Sequence, residues 1–222
     1  MKERKRKRKR KRKRKRKRRC SLAEHHREHR HGSVQKFHRF HHFLLGDAAE
    51  RHQSGADRRA LERGTASDGA PSDQFGYSVA INGDVIAVGT PADDDFGSSS
   101  GAVYVYRWNG STWNEEDKLT AADGDGGDEF GYSVSVDGDF LLVGVPYDEG
   151  VIGENSGSAY LFHWNGTNWV QEPKLVASDA ASQDEFGHSV SVSGNVAVIG
   201  AWADGDNNFG SAYVFRSMNG IW

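Results

Sequence analysis

Cysteine is all but missing. Cys20 stands alone, so no internal disulfide can close. Long apolar runs are missing too: before residue 65 the longest is Phe43-Leu44-Leu45, far short of the ~20 residues a membrane helix needs. The charged start is not followed by an apolar segment, so no secretory signal peptide is visible. Positive charge is scarce over most of the chain. Residues 65–222 hold four Lys/Arg (Arg107, Lys118, Lys174, Arg216) against 24 Asp/Glu, a balance of −20. Residues 1–19 hold 17 Lys/Arg and one Glu, a balance of +16. The formal net charge of −2 therefore averages two different materials, and their partners must be considered separately.

What is present is a stretch that occurs three times. Residues 73–91 read DQFGYSVAINGDVIAVGTP, residues 128–146 DEFGYSVSVDGDFLLVGVP, and residues 184–202 DEFGHSVSVSGNVAVIGAW. Each continues into a second shared block, GAVYVYRWNG from Gly101, GSAYLFHWNG from Gly157 and GSAYVFRSMNG from Gly210. Phe75, Phe130 and Phe186 mark periods of 55 and 56 residues. A period near 50 with several short strands per unit points to a propeller or a similar array.

Within a unit, residues 75–81 alternate, with Tyr77, Val79 and Ile81 on one side and Ser78 and Ala80 on the other. Asn82-Gly83 then predicts a tight hairpin whose turn needs positive φ twice. Residues 85–88, 140–143 and 196–199 are apolar on both sides and read as a second strand buried between neighbouring units. Residues 102–106 form a third strand, Asn109-Gly110 a second tight turn, and residues 113–119 a fourth strand. Glu115, Glu116, Asp117 and Lys118 make that fourth strand read as an exposed outer edge. Trp113 and Trp169 recur at one position and read as packing anchors.

Four antiparallel strands place the two tight turns on one face. The long loops (91–100, 146–156, 202–209) and the links (120–129, 176–185) share the other. That second face gathers Asp93, Asp94, Asp95, Asp123, Asp125, Asp128, Asp148, Glu149, Glu154, Asp204 and Asp206 with no Lys or Arg inside the loops. Loops on a rigid scaffold are where binding residues sit. Asp204, Asp206 and Asn208 alternate along one loop with oxygen ligands suited to calcium, and Asp123, Asp125 and Asp128 form a looser set. Calcium is the one candidate ion; no other cofactor is indicated. Asp93, Asp94, Asp95, Asp148, Glu149 and Glu154 define the binding face for a protein or glycan partner.

The three Phe-Gly pairs, with Gly89-Thr90-Pro91, Gly144-Val145-Pro146 and Gly200-Ala201-Trp202, resemble FG-GAP repeats, the blades of integrin α-subunit propellers. The resemblance covers residues 65–222. It implies an all-β, partial β-propeller of four-stranded blades used for adhesion or ligand binding, at an extracellular or cell-surface location. Calcium-binding members of that family carry a long D-x-D-x-D-G loop between the first two strands. Here only Asn82-Gly83-Asp84, Asp137-Gly138-Asp139 or Ser193-Gly194-Asn195 stands there, so that site does not carry over. The blades fall at about 73–127, 128–183 and 184–222, the last incomplete. Closed propellers have four to eight blades. Further blades are therefore expected from a longer native chain or from self-association.

Residues 1–19 read as a disordered polybasic tail and residues 20–64 as a weakly structured His/Arg-rich linker, with short helices around 34–45 and 56–63. Eight of the ten histidines lie there (His25, His26, His29, His31, His38, His41, His42, His52), without the Cys or carboxylate that would complete a zinc site. Residues 1–64 are expected to be foreign to the array, since the repeat begins abruptly at Thr65. The tail gives one rival function, salt-sensitive nucleic-acid binding. The other rival is an accessory propeller of a secreted hydrolase. Within the repeats only His163 and His188 could act as His bases, and no nucleophile with a base and an orienting partner is visible. The leading reading is a non-enzymatic binding or adhesion module.

Overall fold

The computed structural model describes residues 64–149, 153–205, 209–218 and 221–222. The chain divides into two units, Met1–Glu62 and Arg63–Trp222, of which the second is compact. The disordered tail, the His/Arg-rich linker and the helices expected before residue 64 all lie outside the described residues.

The second unit is all-β among its described residues. Its first sheet has the order β1 (Ser78–Asn82), β2 (Val85–Thr90), β3 (Ala102–Trp108), β4 (Trp113–Leu119). The second repeats it as β5 (Ser133–Asp137), β6 (Phe140–Val145), β7 (Ser158–Trp164), β8 (Trp169–Gln171). The third has three strands, β9 (Phe186–Ser193), β10 (Val196–Ala201) and β11 (Ser211–Arg216). Neighbouring strands within each sheet are antiparallel. The first strands lie side by side, β1 against β5 and β5 against β9. Sheets stacked face to face around their first strands make a partial β-propeller.

Phe-Gly is the centre of a turn. Tyr77 N–H donates to Gln74 O at 3.0 Å, Tyr132 to Glu129 at 3.1 Å and His188 to Glu185 at 3.2 Å. The third residue of each turn is Gly76, Gly131 or Gly187, with φ of 91°, 90° and 98°. Turns of this kind demand glycine there. The preceding Phe is thereby aimed at its own sheet: Phe130 meets Tyr160 and Phe162 edge-on at 5.5 and 6.0 Å, and Phe186 meets Tyr213 and Phe215 at 5.4 and 6.1 Å.

Two cores result, one between each pair of blades. Ala87, Val103 and Val105 of the first blade pack on Phe130, Leu141, Val143 and Phe162 of the second. Leu142, Ala159 and Leu161 of the second pack on Phe186, Ala197 and Ile199 of the third. The second strands are apolar on both sides, as expected for a strand between two cores.

Three local expectations shift. The first hairpin closes on Asn82↔Val85, so its turn residues are Gly83 and Asp84, not Asn82-Gly83. Positive φ is needed once, at Gly83 (57°), which is the turn with glycine first. The second turn is longer than a two-residue hairpin. Trp108 pairs with Trp113, and Asn109 Oδ1 accepts from the Ser111 and Thr112 amides, both at 2.9 Å. Such side-chain capping is why Asn stands there. Finally, β4 is not uniformly solvated. The ladder pairs Tyr106 with Glu115 and Val105 with Asp117, leaving Glu116 as the extra residue of a bulge. The bulge turns Glu116 towards Arg107 and towards Trp169 Nε1, 3.2 Å away in the next blade.

Candidate functional site

The long loops and links share one face of the array, and that face is built from a motif repeated in each blade. Asp93 follows β2, Asp148 follows β6 and Asp204 follows β10. Each is reached by the tyrosine at the third position of the following strand. Tyr104 donates to Asp93 at 3.1 Å and to Asp68 at 2.6 Å. Tyr160 donates to Asp148 at 3.3 Å and to Asp123 at 2.8 Å. Tyr213 donates to Asp204 at 2.7 Å and to Asp179 at 2.9 Å. Burial and the carboxylate partners push all three phenols above their ordinary range.

In two blades a lysine enters the cluster. Lys118 Nζ lies 3.0 Å from Asp68, 2.8 Å from Asp93 and 2.6 Å from Asp95. Lys174 Nζ lies 2.8 Å from both Asp123 and Asp148. Each ammonium also sits over its tyrosine ring, at 5.1 and 5.2 Å. The loops hold no base of their own, but β4 and the segment after β8 each deliver one. Burial alone would lower both lysine pKa values; the carboxylates outweigh it and raise them. Burial likewise pushes the Asp123 carboxyl up, and the bonds from Lys174 and Tyr160 hold it below the ordinary value. In the third blade no lysine pairs with Asp179 or Asp204 among the described residues. Ser211 and Tyr213 hold the Asp204 carboxyl low.

Asp73, Asp128 and Asp184 have a different duty. Each is buried and accepts from the amide three residues earlier: Ala70 at 2.6 Å, Asp125 at 2.7 Å and Ala181 at 2.6 Å. They fix the turn leading into Phe-Gly. Burial pushes the Asp128 carboxyl above its ordinary value.

The expected ligand sets fare as follows. Asp123 and Asp128 serve the lysine cluster and the turn, and Asp125 is exposed beside them. No three His, Cys, Asp or Glu among the described residues are grouped to hold a metal. Asp206 and Asn208 lie outside the described residues, which leaves Asp204 of that set. The two-residue Gly83-Asp84 turn has no room for a calcium loop between the first strands. In the first two blades an ammonium already stands among the carboxylates that a cation would need.

Of the binding-face residues, Asp93 and Asp148 are buried in the clusters. Asp94, Asp95, Glu149 and Glu154 are exposed. Asp123, Asp125, Asp128, Asp148, Glu149 and Lys174 line a cleft of about 540 Å³ in the second blade. Five carboxylates face one ammonium there.

A feature missed in the sequence runs along the inner edge of the same face. Tyr77 packs against Tyr132 at 5.0 Å, Tyr132 against His188 at 5.1 Å, and His188 against Trp202 at 5.6 Å, with ring planes tilted by 52°, 53° and 46°. Tyr147 joins at 5.8 Å from Tyr132. Trp202 donates its indole N–H to Glu185. The hydrogen bond with Tyr132, then burial, pushes the Tyr77 phenol up to about 12. Tyr77 and Trp202 remain 49% and 54% exposed, so the row is half open to a ligand. The aligned positions Tyr77, Tyr132 and His188 were the available signal.

Face-to-face four-stranded blades with their long loops on one side define a propeller-type repeat module. The FG-GAP repeat profile matches residues 62–106, 113–162 and 169–215, and the chain belongs to that family. A search of curated proteins finds no match. No helix among the described residues is long and apolar enough to cross a membrane.

Proposed function

We propose that the array is a non-enzymatic binding module for adhesion-type contacts at the cell surface or outside it. Its protein or glycan ligand docks on the face of long loops. The observation that carries this is the coincidence, on that face, of a half-open aromatic row with an acidic cleft. Aromatic rings offer apolar area and stacking at little entropic cost, and the carboxylates select cationic or hydroxyl-rich groups. Among the described residues the opposite face offers short turns, where Asn109 and Asn165 bond their own turn backbone and Asn82 bonds Asp137 and the Gly138 amide of the next blade.

The non-enzymatic part rests on the two histidines of the repeats. His163 stacks on Phe140 at 5.1 Å, and His188 lies between Tyr132 and Trp202. Both rings are used in packing. The extracellular location rests on the family, whose repeats are typical of surface proteins.

Retention on an array of glycans and of Lys/Arg-bearing peptides tests the reading. Trp202→Ala and Glu149→Gln should weaken whichever probe is retained, and Thr112→Ala on the turn face should not. Retention lost only through the turn face would overturn it, as would turnover of ester or glycan substrates by the pure protein.

A further inference from the structure

The two ends of the array carry the two halves of one interface. At each internal junction, one blade presents the outer side of its second and third strands, and the next presents Phe-Gly and the apolar side of its first strand. Ala87 and Val105, then Leu142 and Leu161, are the presenting residues, all fully buried. The third blade carries Val198 and Val214 at the same positions, 38% and 66% exposed. On the receiving side, Val136 is buried and Val134 partly so. The first blade carries Ile81 and Val79 there, 48% and 68% exposed.

The polar bonds follow the same rule. Ser78 Oγ donates to Gly131 O at 2.7 Å and Ser133 Oγ to Gly187 O at 2.8 Å. Ser189 is the corresponding donor on the third blade, and Gly76 O the corresponding acceptor on the first. Backbone pairing continues the pattern: Phe130 N–H donates to Ser100 O at 3.0 Å and Phe186 N–H to Ser156 O at 3.2 Å. The aligned groups at the ends are Phe209 O and Phe75 N–H. Each end thus matches the other in apolar pattern and hydrogen-bond polarity, by continuity with two junctions already formed within the chain.

We propose that the third-blade end of one copy docks on the first-blade end of a second copy, continuing the blade stack between chains. The contact is head-to-tail. It closes a ring if the rotation per copy divides the circle and otherwise gives an open stack.

Sedimentation velocity on the full 222-residue chain tests this. The expected result is concentration-dependent assembly from micromolar upwards. Val79→Glu blocks one end and Val214→Glu the other. Both side chains are exposed, so each variant should keep the wild-type near-UV circular dichroism. Each alone should weaken assembly by more than about tenfold, because an unpaired carboxylate would be buried. An equimolar mixture retains one intact pair of ends and should give a heterodimer that grows no further. A wild-type monomer at every concentration overturns the proposal. So does assembly that survives either single variant, or a mixture that fails to pair.

Discussion

Ser133 Oγ and the Gly187 carbonyl, 2.8 Å apart, join the second blade to the third, and Gly144 lies against the same carbonyl. A Cβ on Gly144 would stand 1.9 Å from Gly187 O and 2.3 Å from Ser133 Oγ. Gly89 is in the same position against Gly131 and Ser78, at 2.0 and 2.1 Å. The glycine one residue before the end of β2 and of β6 is therefore a spacing residue that lets blades nest. Gly144→Ala should cost about 3 kcal/mol or more, as overpacking against backbone cannot relax cheaply. Ser133→Ala, which loses one hydrogen bond, should cost about 1 kcal/mol. Urea denaturation of both variants checks the ranking; equal midpoints would contradict the nesting geometry.

Phe130 and Phe75 hold the same place in the repeat but not the same burial. Phe130 is fully buried between two blades, whereas Phe75 has no described blade in front of it and is partly exposed. Phe130→Ala should cost about 3–5 kcal/mol and Phe75→Ala clearly less. Thermal melts of the two variants measure the difference. Glu116→Ala, which the sequence marks as a harmless edge change, should now cost about 1 kcal/mol, because it frees Arg107 and Trp169 Nε1 at a partly buried bulge.

The blade was legible because its period, its alternation and its glycines are local. The face that carries the long loops followed from counting strands. What was not legible depends on which residues meet across tens of positions. Lys118 and Lys174 stand outside the loops they neutralise, so the loops read as uncompensated. Glu116 reads as exposed because alternation is the only sequence cue, and a bulge breaks alternation without a sequence mark. Tyr104, Tyr160 and Tyr213 looked like strand residues; their hydroxyls become functional only where the chain brings Asp68, Asp123 and Asp179 back to them. The aromatic row has the same cause, since Tyr77, Tyr132 and His188 meet across blades about one repeat apart.

Removing Lys174 should expose the cost of the acidic cluster. Asp148 has 7% of its side chain exposed and Asp123 56%, so one charge is nearly buried and the other is screened. Lys174→Met should destabilise by about 2 kcal/mol, below the full penalty for an orphaned buried charge. Guanidinium is unsuitable because its ions screen the pair; urea at low salt is the measurement. A neutral result would mean that Tyr160 and Ser158 suffice to hold Asp148.

Acid should attack the same clusters. Asp68, Asp123 and Asp204 are held below the ordinary carboxyl value in the folded chain. Their contribution is complete above the unfolded value of about 3.9 and is lost as pH falls through the lower folded values. The acid limb of the stability curve should therefore fall below about pH 4, and Asp123→Asn should flatten it. Stability measured by urea between pH 2 and 6 reads both effects, and an unchanged slope in the variant would remove Asp123 from the account.

Asp128 should behave in the opposite sense. Burial raises its carboxyl, so the folded chain binds that proton more tightly than the unfolded chain does. Its ionised form opposes folding, and that opposition is relieved as pH falls through the raised folded value. The hydrogen bond it makes, from the Asp125 amide at 2.7 Å, needs an acceptor oxygen but no charge. Asp128→Asn keeps an oxygen there and removes the buried charge. It should leave stability at pH 7 unchanged or slightly higher. Asp128→Ala removes the acceptor and should cost about 1–2 kcal/mol at the same pH. If Asn and Ala prove equally damaging, the charge itself is needed, and the attraction of Lys174 for Asp128 outweighs its burial.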